Sequence, residues 1–189
     1  QLTHFGFRSR LQTAQPDAPR VKGVRVDINH HPGLNEWFIN TPIGIEQGFY
    51  LTSEFEESQY GIDPGTQRRF ELHFKVAGDL KPELADNGLD FKDASGQIQM
   101  NYNQLLAFDA DRKILPAQFA LTGNHLSISV DTTAAVYPVT IDPLFSSEQA
   151  LTASDAAAED QFGDAVAVDA DTVVVGAPLE NSGGSADTG

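Results

Sequence analysis

The 189-residue chain contains no cysteine, and this absence excludes three kinds of site at once. Without thiols there is no disulfide, no thiolate zinc centre and no cysteine nucleophile. The sequence also lacks an apolar run of about 18 residues, the length that a transmembrane helix needs. We therefore expect no helical membrane span.

Positive charge is scarce and unevenly placed. Lys and Arg number 12 against 27 Asp and Glu, which gives a formal net charge of -15, and the last cationic side chain is Lys113. Nucleic acid and anionic lipid both require a cationic face, so we predict no nucleic-acid partner. The acidic C-terminal part either attracts Ca²⁺ or simply keeps the protein soluble in salty surroundings, and the charge pattern favours the second interpretation.

No long stretch has the 3.6-residue period of a helix, whereas turn residues recur about every 8 to 15 residues, as in β-sandwiches. The clearest strand is "RRFELHFKV", in which one face carries Phe70, Leu72, Phe74 and Val76 and the other Arg69, Glu71, His73 and Lys75. Tyr and Trp side chains are expected at the edge of the core with their polar atoms in water. The pattern predicts an all-β fold, an antiparallel β-sandwich.

Several other segments are predicted strands. "RVKGVRVDI" is expected to form one strand, and residues 36–55 form two with turn residues at Thr41-Pro42 and Gly48. Hairpins are predicted around residues 93–96 and around the charged turn 109–113. "SQYGIDPGTQ" is a predicted loop, and two short strands, 126–130 and 136–141, close the domain. Pro138 and Pro143 predict that the closing strand lies at a sheet edge or exit.

The stretch "QFGDAVAVDADTVVVGAP" contains two short apolar strands joined by "DAD". Its Phe162-Gly163 and Gly176-Ala177-Pro178 motifs, with the strands between them, resemble the FG-GAP repeat family, whose units build the β-propeller heads of integrins and many bacterial surface proteins. The resemblance covers 151–189. It implies that both glycines permit tight turns where a Cβ would clash, that Phe162 packs between blades and that Pro178 ends a strand. Because a blade has four strands, the sequence looks truncated inside its first repeat.

Integrin-type repeats carry a calcium loop, D-x-D-x-D-G, between these two strands. The matching stretch here has Asp169 and Asp171 but lacks the third Asp and the Gly. Two carboxylates are fewer than the six to eight oxygen ligands that Ca²⁺ takes. We therefore interpret this stretch as a solvated acidic turn, with Asp169 and Asp171 as weak calcium candidates and no other cofactor predicted.

The segment "AVYPVTIDPLF", residues 135–145, resembles the closing strand of a β-sandwich domain that often precedes β-propeller repeats in secreted bacterial proteins. This second resemblance spans residues 20–145. Together the two resemblances predict a β-sandwich over 1–146, an acidic linker over 147–160 and a partial FG-GAP repeat over 161–189.

Catalytic patterns are scarce, because the sequence has no nucleophile elbow, P-loop or dinucleotide fingerprint. His30-His31 with Glu36 is a possible weak zinc or copper site, but neighbours on a strand point to opposite faces, so a polar loop is the prediction. Glu54, Glu56 and Glu57 suggest a solvated face rather than a glycosidase pair.

The resemblances imply a non-catalytic protein, extracellular or on the bacterial cell surface, that presents or caps a β-propeller repeat array in adhesion or assembly. Unpaired strand edges would then bind a protein partner or a second copy. The alternative is an accessory, carbohydrate-binding region of a secreted hydrolase, in which Trp37, Phe38 and Tyr50 stack on sugars.

Overall fold

A computed structural model describes residues 1–7, 10–42, 44–52, 68–146, 160–169 and 172–179. The chain divides into two compact units, Gln1–Glu148 and Gln149–Gly189, which are described separately. Within the described ranges no helix is long and apolar enough to cross a membrane. The predicted loop 58–67, Tyr60, the three glutamates at 54–57 and most of the linker lie outside these residues, and the predicted domain boundaries stay predictions.

The first unit is built from antiparallel strands in two sheets. Its strands are β1 Leu2–Phe7, β2 Arg10–Thr13, β3 Arg20–Lys22, β4 Arg25–His31, β5 Leu34–Thr41, β6 Gly44–Leu51, β7 Arg69–Lys75, β8 Lys81–Ala85, β9 Gly88–Lys92, β10 Ile98–Phe108, β11 Ala117–Thr122, β12 His125–Asp131 and β13 Val139–Ser146. The smaller sheet has the order β11-β12-β7-β1-β2, and the larger has β3-β4-β5-β6-β13-β10-β9-β8. The predicted all-β antiparallel fold is confirmed.

The core lies between these two sheets. Phe70, Leu72 and Phe74 are buried on alternate positions of β7, as the period of two predicted. They belong to one apolar cluster with buried residues of the larger sheet, and the rings of Phe49 and Phe74 meet at 5.7 Å. Burial of apolar area from both sheets, at about 25 cal/mol per Å², is what holds the sandwich together.

The segment "RVKGVRVDI" differs from its prediction, because it forms the hairpin β3–β4 rather than one strand. Gly23 lies between the two strands with φ +60°. A left-handed residue at this point reverses the chain, and glycine adopts it without a steric penalty. The imperfect valine alternation of this segment is therefore that of two short strands.

The charged turn at residues 109–113 is present, but it does not close the predicted hairpin. Oδ1 of Asp109 accepts N–H groups of Asp111 and Lys113, at 3.0 and 2.9 Å. After the bridge between Phe108 and Ile114, the chain leaves β10 and pairs as β11 with β12 in the other sheet. Pro116 precedes β11, and a residue without an N–H cannot continue the ladder with β10.

The closing strand β13 is not at an edge, so that prediction is wrong. It lies between β6 and β10, in the middle of the larger sheet. The register of β10 against β13 shifts between Asn103 and Leu106, where Gln104 has φ +52°, and Pro143 lies at this irregularity. A bulge removes the need for a donor at that position, which lets a central strand accommodate proline.

The second unit contains one described hairpin, formed by β14 Ala165–Asp169 and β15 Thr172–Gly176. The strands are antiparallel, with Ala165 opposite Gly176 and Asp169 opposite Thr172. The two apolar strands predicted from the repeat motif are thus confirmed.

Candidate functional site

The two halves of the repeat motif meet at the open end of the β14–β15 hairpin. The N–H of Gly163 donates to the carbonyl of Gly176 at 2.9 Å. The turn before β14 is closed by the N–H of Asp164, which donates to the carbonyl of Gln161 at 3.1 Å. The main chain therefore joins the FG and GAP motifs, although twelve residues lie between the two glycines in sequence.

The two motif glycines differ in what they require. Gly163 has φ +98°, a conformation that residues with a Cβ rarely adopt, and an added Cβ would meet nothing within 4 Å. At Gly176 an added Cβ would lie 3.5 Å from the Cβ of Ala165, an ordinary contact. The expected clash is therefore found at neither position, and only Gly163 is needed, for its backbone conformation.

Apolar side chains of the hairpin are exposed to solvent. Phe162, Val166, Val173 and Val174 all belong to the exposed apolar residues, and Val174 is 62% exposed. β15 ends at Gly176, Ala177 follows it and a turn begins at Pro178, so the expectation that this proline ends the strand stays a prediction. The packing of Phe162 between blades stays a prediction.

The calcium candidates are only partly described. Asp169 is the last residue of β14, and Asp171 lies outside the described residues. Within the described ranges no group of three or more His, Asp or Glu side chains could hold a metal ion. The calcium site thus stays a prediction that rests on the two carboxylates.

Residues 145–189 match the family model described as FG-GAP repeat. The match confirms the resemblance of this segment to FG-GAP repeats, and it points to a β-propeller-like repeat. Neither the curated proteins nor the solved structures gave a match to the chain.

The sandwich contains a buried polar cluster that sequence reasoning missed. Tyr102 on β10 donates its hydroxyl hydrogen to Oε1 of Gln47 on β6, at 2.6 Å. Nε2 of Gln47 donates to Oε1 of Glu36 on β5, at 2.5 Å. The other oxygen of Glu36 lies 2.6 Å from Nε2 of His30 on β4. Four strands of the larger sheet thus contribute to one hydrogen-bonded chain, which we call the polar cluster: His30, Glu36, Gln47 and Tyr102.

The polar loop predicted for His30-His31 is wrong. Both residues belong to β4, His30 is buried, and Nδ1 of His31 accepts the N–H of Gly33 at 3.1 Å. The register of β4 against β5 shifts between Asn29 and His31, so simple alternation fails there. The only sequence signal for the contact between His30 and Glu36 was their spacing of six residues. That spacing predicts a contact only once β4 and β5 are known to form a hairpin.

Tyr102 also differs from its prediction, because its hydroxyl is not in water. The residue is 1% exposed, and its ring stacks on Phe145 with centroids 4.0 Å apart. Burial, followed by the charges of Glu36 and Asp142, raises the pKa of Tyr102 well above its ordinary value. The phenol therefore stays neutral and acts as a hydrogen-bond donor at ordinary pH.

An acidic pair, Glu46 and Asp142, lies on β6 and β13. Asp142 and Glu46 line a groove together with Thr41, Gln104 and Leu106. Burial, followed by the charge and hydrogen bond of Glu46, raises the pKa of Asp142 to about 6. Burial and the neighbouring carboxyl group thus disfavour the charged form of Asp142, and no sequence pattern predicted this pair.

Proposed function

We propose that this chain is a non-catalytic structural or adhesive module, extracellular or on the bacterial cell surface, whose sandwich presents or caps a β-propeller repeat array. The observation that carries the proposal is the FG-GAP match over residues 145–189. It begins within β13, so the last strand of the sandwich and the repeat segment follow each other directly along the chain.

The hairpin supports an assembly role through its edges. In the described part of the chain, β14 and β15 pair only with each other, so each has one edge whose backbone groups lack strand partners. Unpaired edges are templates for strand addition. We therefore propose that further strands, from a protein partner or a second copy, complete this sheet.

The valines of the hairpin support the same role. In register, Val166 lies opposite Val175, and Val174 lies opposite Ala167. Val166 and Val174 are exposed, although valine favours the half-buried surface of a sheet. Covering both faces would remove apolar area from water, and this gain would reinforce the added strand hydrogen bonds.

Hydrogen exchange of the Ala165–Gly176 amides tests this proposal, with a second copy of the chain as the probe. If copies pair, these amides should slow by at least about tenfold as concentration rises, because pairing protects edge groups. Val174→Lys should keep the exchange of these amides fast at every concentration, because it places a charge on a face that the second copy must cover. Val24→Lys, at a valine of the sandwich that is 67% exposed, is the matched control and should behave as the parent. Fast amides in every assembly state would refute strand completion.

One groove favours the second candidate function, carbohydrate binding. It has a volume of about 580 Å³ and is lined by Tyr50, by basic residues of β3 and β4, and by Asp27, Asn29 and Asn35. Nδ2 of Asn35 donates to Oδ1 of Asn29 at 2.8 Å, and Tyr50 is exposed and lies opposite Asn35 in register. An exposed ring beside carboxylate and amide groups offers a stacking face and hydrogen bonds to a sugar.

Of the three aromatic residues predicted to stack on sugars, only Tyr50 is suitably placed. Trp37 is buried, and the guanidinium of Arg25 lies 4.9 Å from its ring centroid. If the groove binds glycans, Tyr50→Ala should abolish glycan-array binding, whereas Phe38→Leu, outside the groove, should leave it unchanged. Binding that persists in Tyr50→Ala would remove this candidate.

Calcium binding at Asp169 and Asp171 has a simple test. Because two carboxylates are too few for Ca²⁺, we expect a calcium titration to leave the melting temperature unchanged. A rise that is lost in Asp171→Asn would show instead that the loop binds calcium.

A further inference from the structure

A cavity of about 390 Å³ opens between the two sheets of the sandwich. Its volume falls within the roughly 300–1,000 Å³ typical of small-molecule sites. Most of its lining is apolar, with contributions from both sheets, and the apolar side chains include Ile28, Phe38, Phe74, Phe91, Met100 and Phe145. We call this space the sandwich cavity.

The polar cluster forms one part of the cavity lining, since all four of its residues line the space. Both oxygens of Glu36 and the hydroxyl of Tyr102 already have partners in the cluster. His30 is buried, and its Nδ1 has no hydrogen-bond partner among the described residues. A buried polar atom without a partner costs stability, so such atoms in native proteins usually bind water, an ion or a ligand.

We propose that the sandwich cavity binds a neutral, mostly apolar small molecule of about a dozen non-hydrogen atoms, whose single hydroxyl bonds Nδ1 of His30. The size follows from the volume, at roughly 30 Å³ per small group. A hydroxyl fits the orphaned nitrogen because it both donates and accepts, whichever tautomer the ring adopts.

The charge of the head group follows from Glu36, the carboxylate that contacts His30; Lys75 and the N-terminal residue Gln1 also line the cavity. Glu36 lies 2.6 Å from the His30 ring, so an anionic head at Nδ1 would stand close to a buried carboxylate. Like charges at such distances repel strongly in a poorly solvated site. A neutral head avoids this repulsion, and the phenylalanine rings of the lining suit a flat aromatic body.

Binding is tested by calorimetric titration of the full chain with 2-naphthol, and with naphthalene and 2-naphthoate as matched probes. We expect 2-naphthol to bind at one site with a dissociation constant on the order of 0.1 mM. Naphthalene, which lacks the head, should bind about fivefold more weakly, the value of one neutral hydrogen bond. The anion 2-naphthoate should bind at least about tenfold more weakly. Equal or tighter binding of either comparison probe would overturn the assigned head group.

Two variants locate the site. Met100→Trp, on β10, and Val76→Trp, just after β7, each enlarge a lining residue, and either should weaken 2-naphthol binding by at least about tenfold. Ile114→Trp, at an exposed position outside the cavity lining, should bind as the parent. If one cavity variant fails to fold, the other decides. The absence of saturable binding, or binding that survives a folded cavity variant, would overturn the proposal.

Discussion

Removing a single oxygen, by Tyr102→Phe, should destabilise the sandwich measurably. The hydroxyl is buried and donates to Oε1 of Gln47 at 2.6 Å. Phenylalanine keeps the ring and its stacking on Phe145 but leaves the amide oxygen of Gln47, a buried residue, without that donor. The loss is therefore mainly one of hydrogen bonding rather than of packing.

The expected cost is that of leaving a buried acceptor unsatisfied, about 1–3 kcal/mol. For a unit of this size, each kcal/mol lowers the melting temperature by about 2–4 °C. Tyr50→Phe is the matched control, because it removes the same atom from a residue that is 41% exposed, on the same strand as Gln47. Its effect should stay within about 0.5 kcal/mol.

Urea unfolding followed by tryptophan emission measures both variants. Trp37 is the single tryptophan of the chain and lies on β5, so its emission reports on the sandwich and not on the repeat segment. The slope with urea should be the same for the parent and both variants, which makes midpoints comparable. Equal midpoints for Tyr102→Phe and Tyr50→Phe would refute the assigned role of the hydroxyl.

Three further predictions rest on single positions. The folded-state pKa of Asp142, about 6, lies above its unfolded value. Its contribution to the stability of the sandwich is therefore full below about pH 4 and is lost as pH rises through 6. Asp142→Asn should therefore stabilise the sandwich at pH 8 by about 1 kcal/mol after allowance for solvent screening. It should also reduce the change of the urea midpoint with pH between pH 4 and 8. Gly163→Ala should accelerate hydrogen exchange of the β14 amides, because a residue with a Cβ pays about 1–2 kcal/mol to adopt a φ of +98°. Gly176→Ala should leave this exchange unchanged. Gly48→Ala places a Cβ against the ring of Trp37, where it would clash, so it should cost about 1–3 kcal/mol of stability and shift tryptophan emission to the red. An unshifted spectrum would contradict this packing.

Local patterns predicted the parts of the fold that depend on local chemistry. The alternation on β7 placed Phe70, Leu72 and Phe74 in the core, and the β9–β10 hairpin formed where its turn residues stand. Both features need only the strand period and the turn chemistry of neighbouring residues.

Features that depend on distant partners were not predictable in this way. Pro143 suggested an edge strand, but the bulge at Gln104 on β10 accommodates it in the middle of the sheet. The polar cluster joins Tyr102 to Gln47, which are 55 positions apart, and no spacing within one segment could have indicated this contact. The FG-GAP motif was predictable because its two ends and its strands lie in one continuous stretch.

The central place of β13 has a consequence for how the chain is made. This strand joins β6 to β10 in the larger sheet, yet it is the last strand of the sandwich to be synthesised. Until residue 146 leaves the ribosome, the strands β3–β6 and β8–β10 have no shared neighbour in that sheet. At about 5–20 residues per second, the earlier strands then wait several seconds with the β6 and β10 edges open, a hazard for aggregation. Chaperone contact on the nascent chain should therefore peak before β13 emerges and fall as the repeat segment follows it.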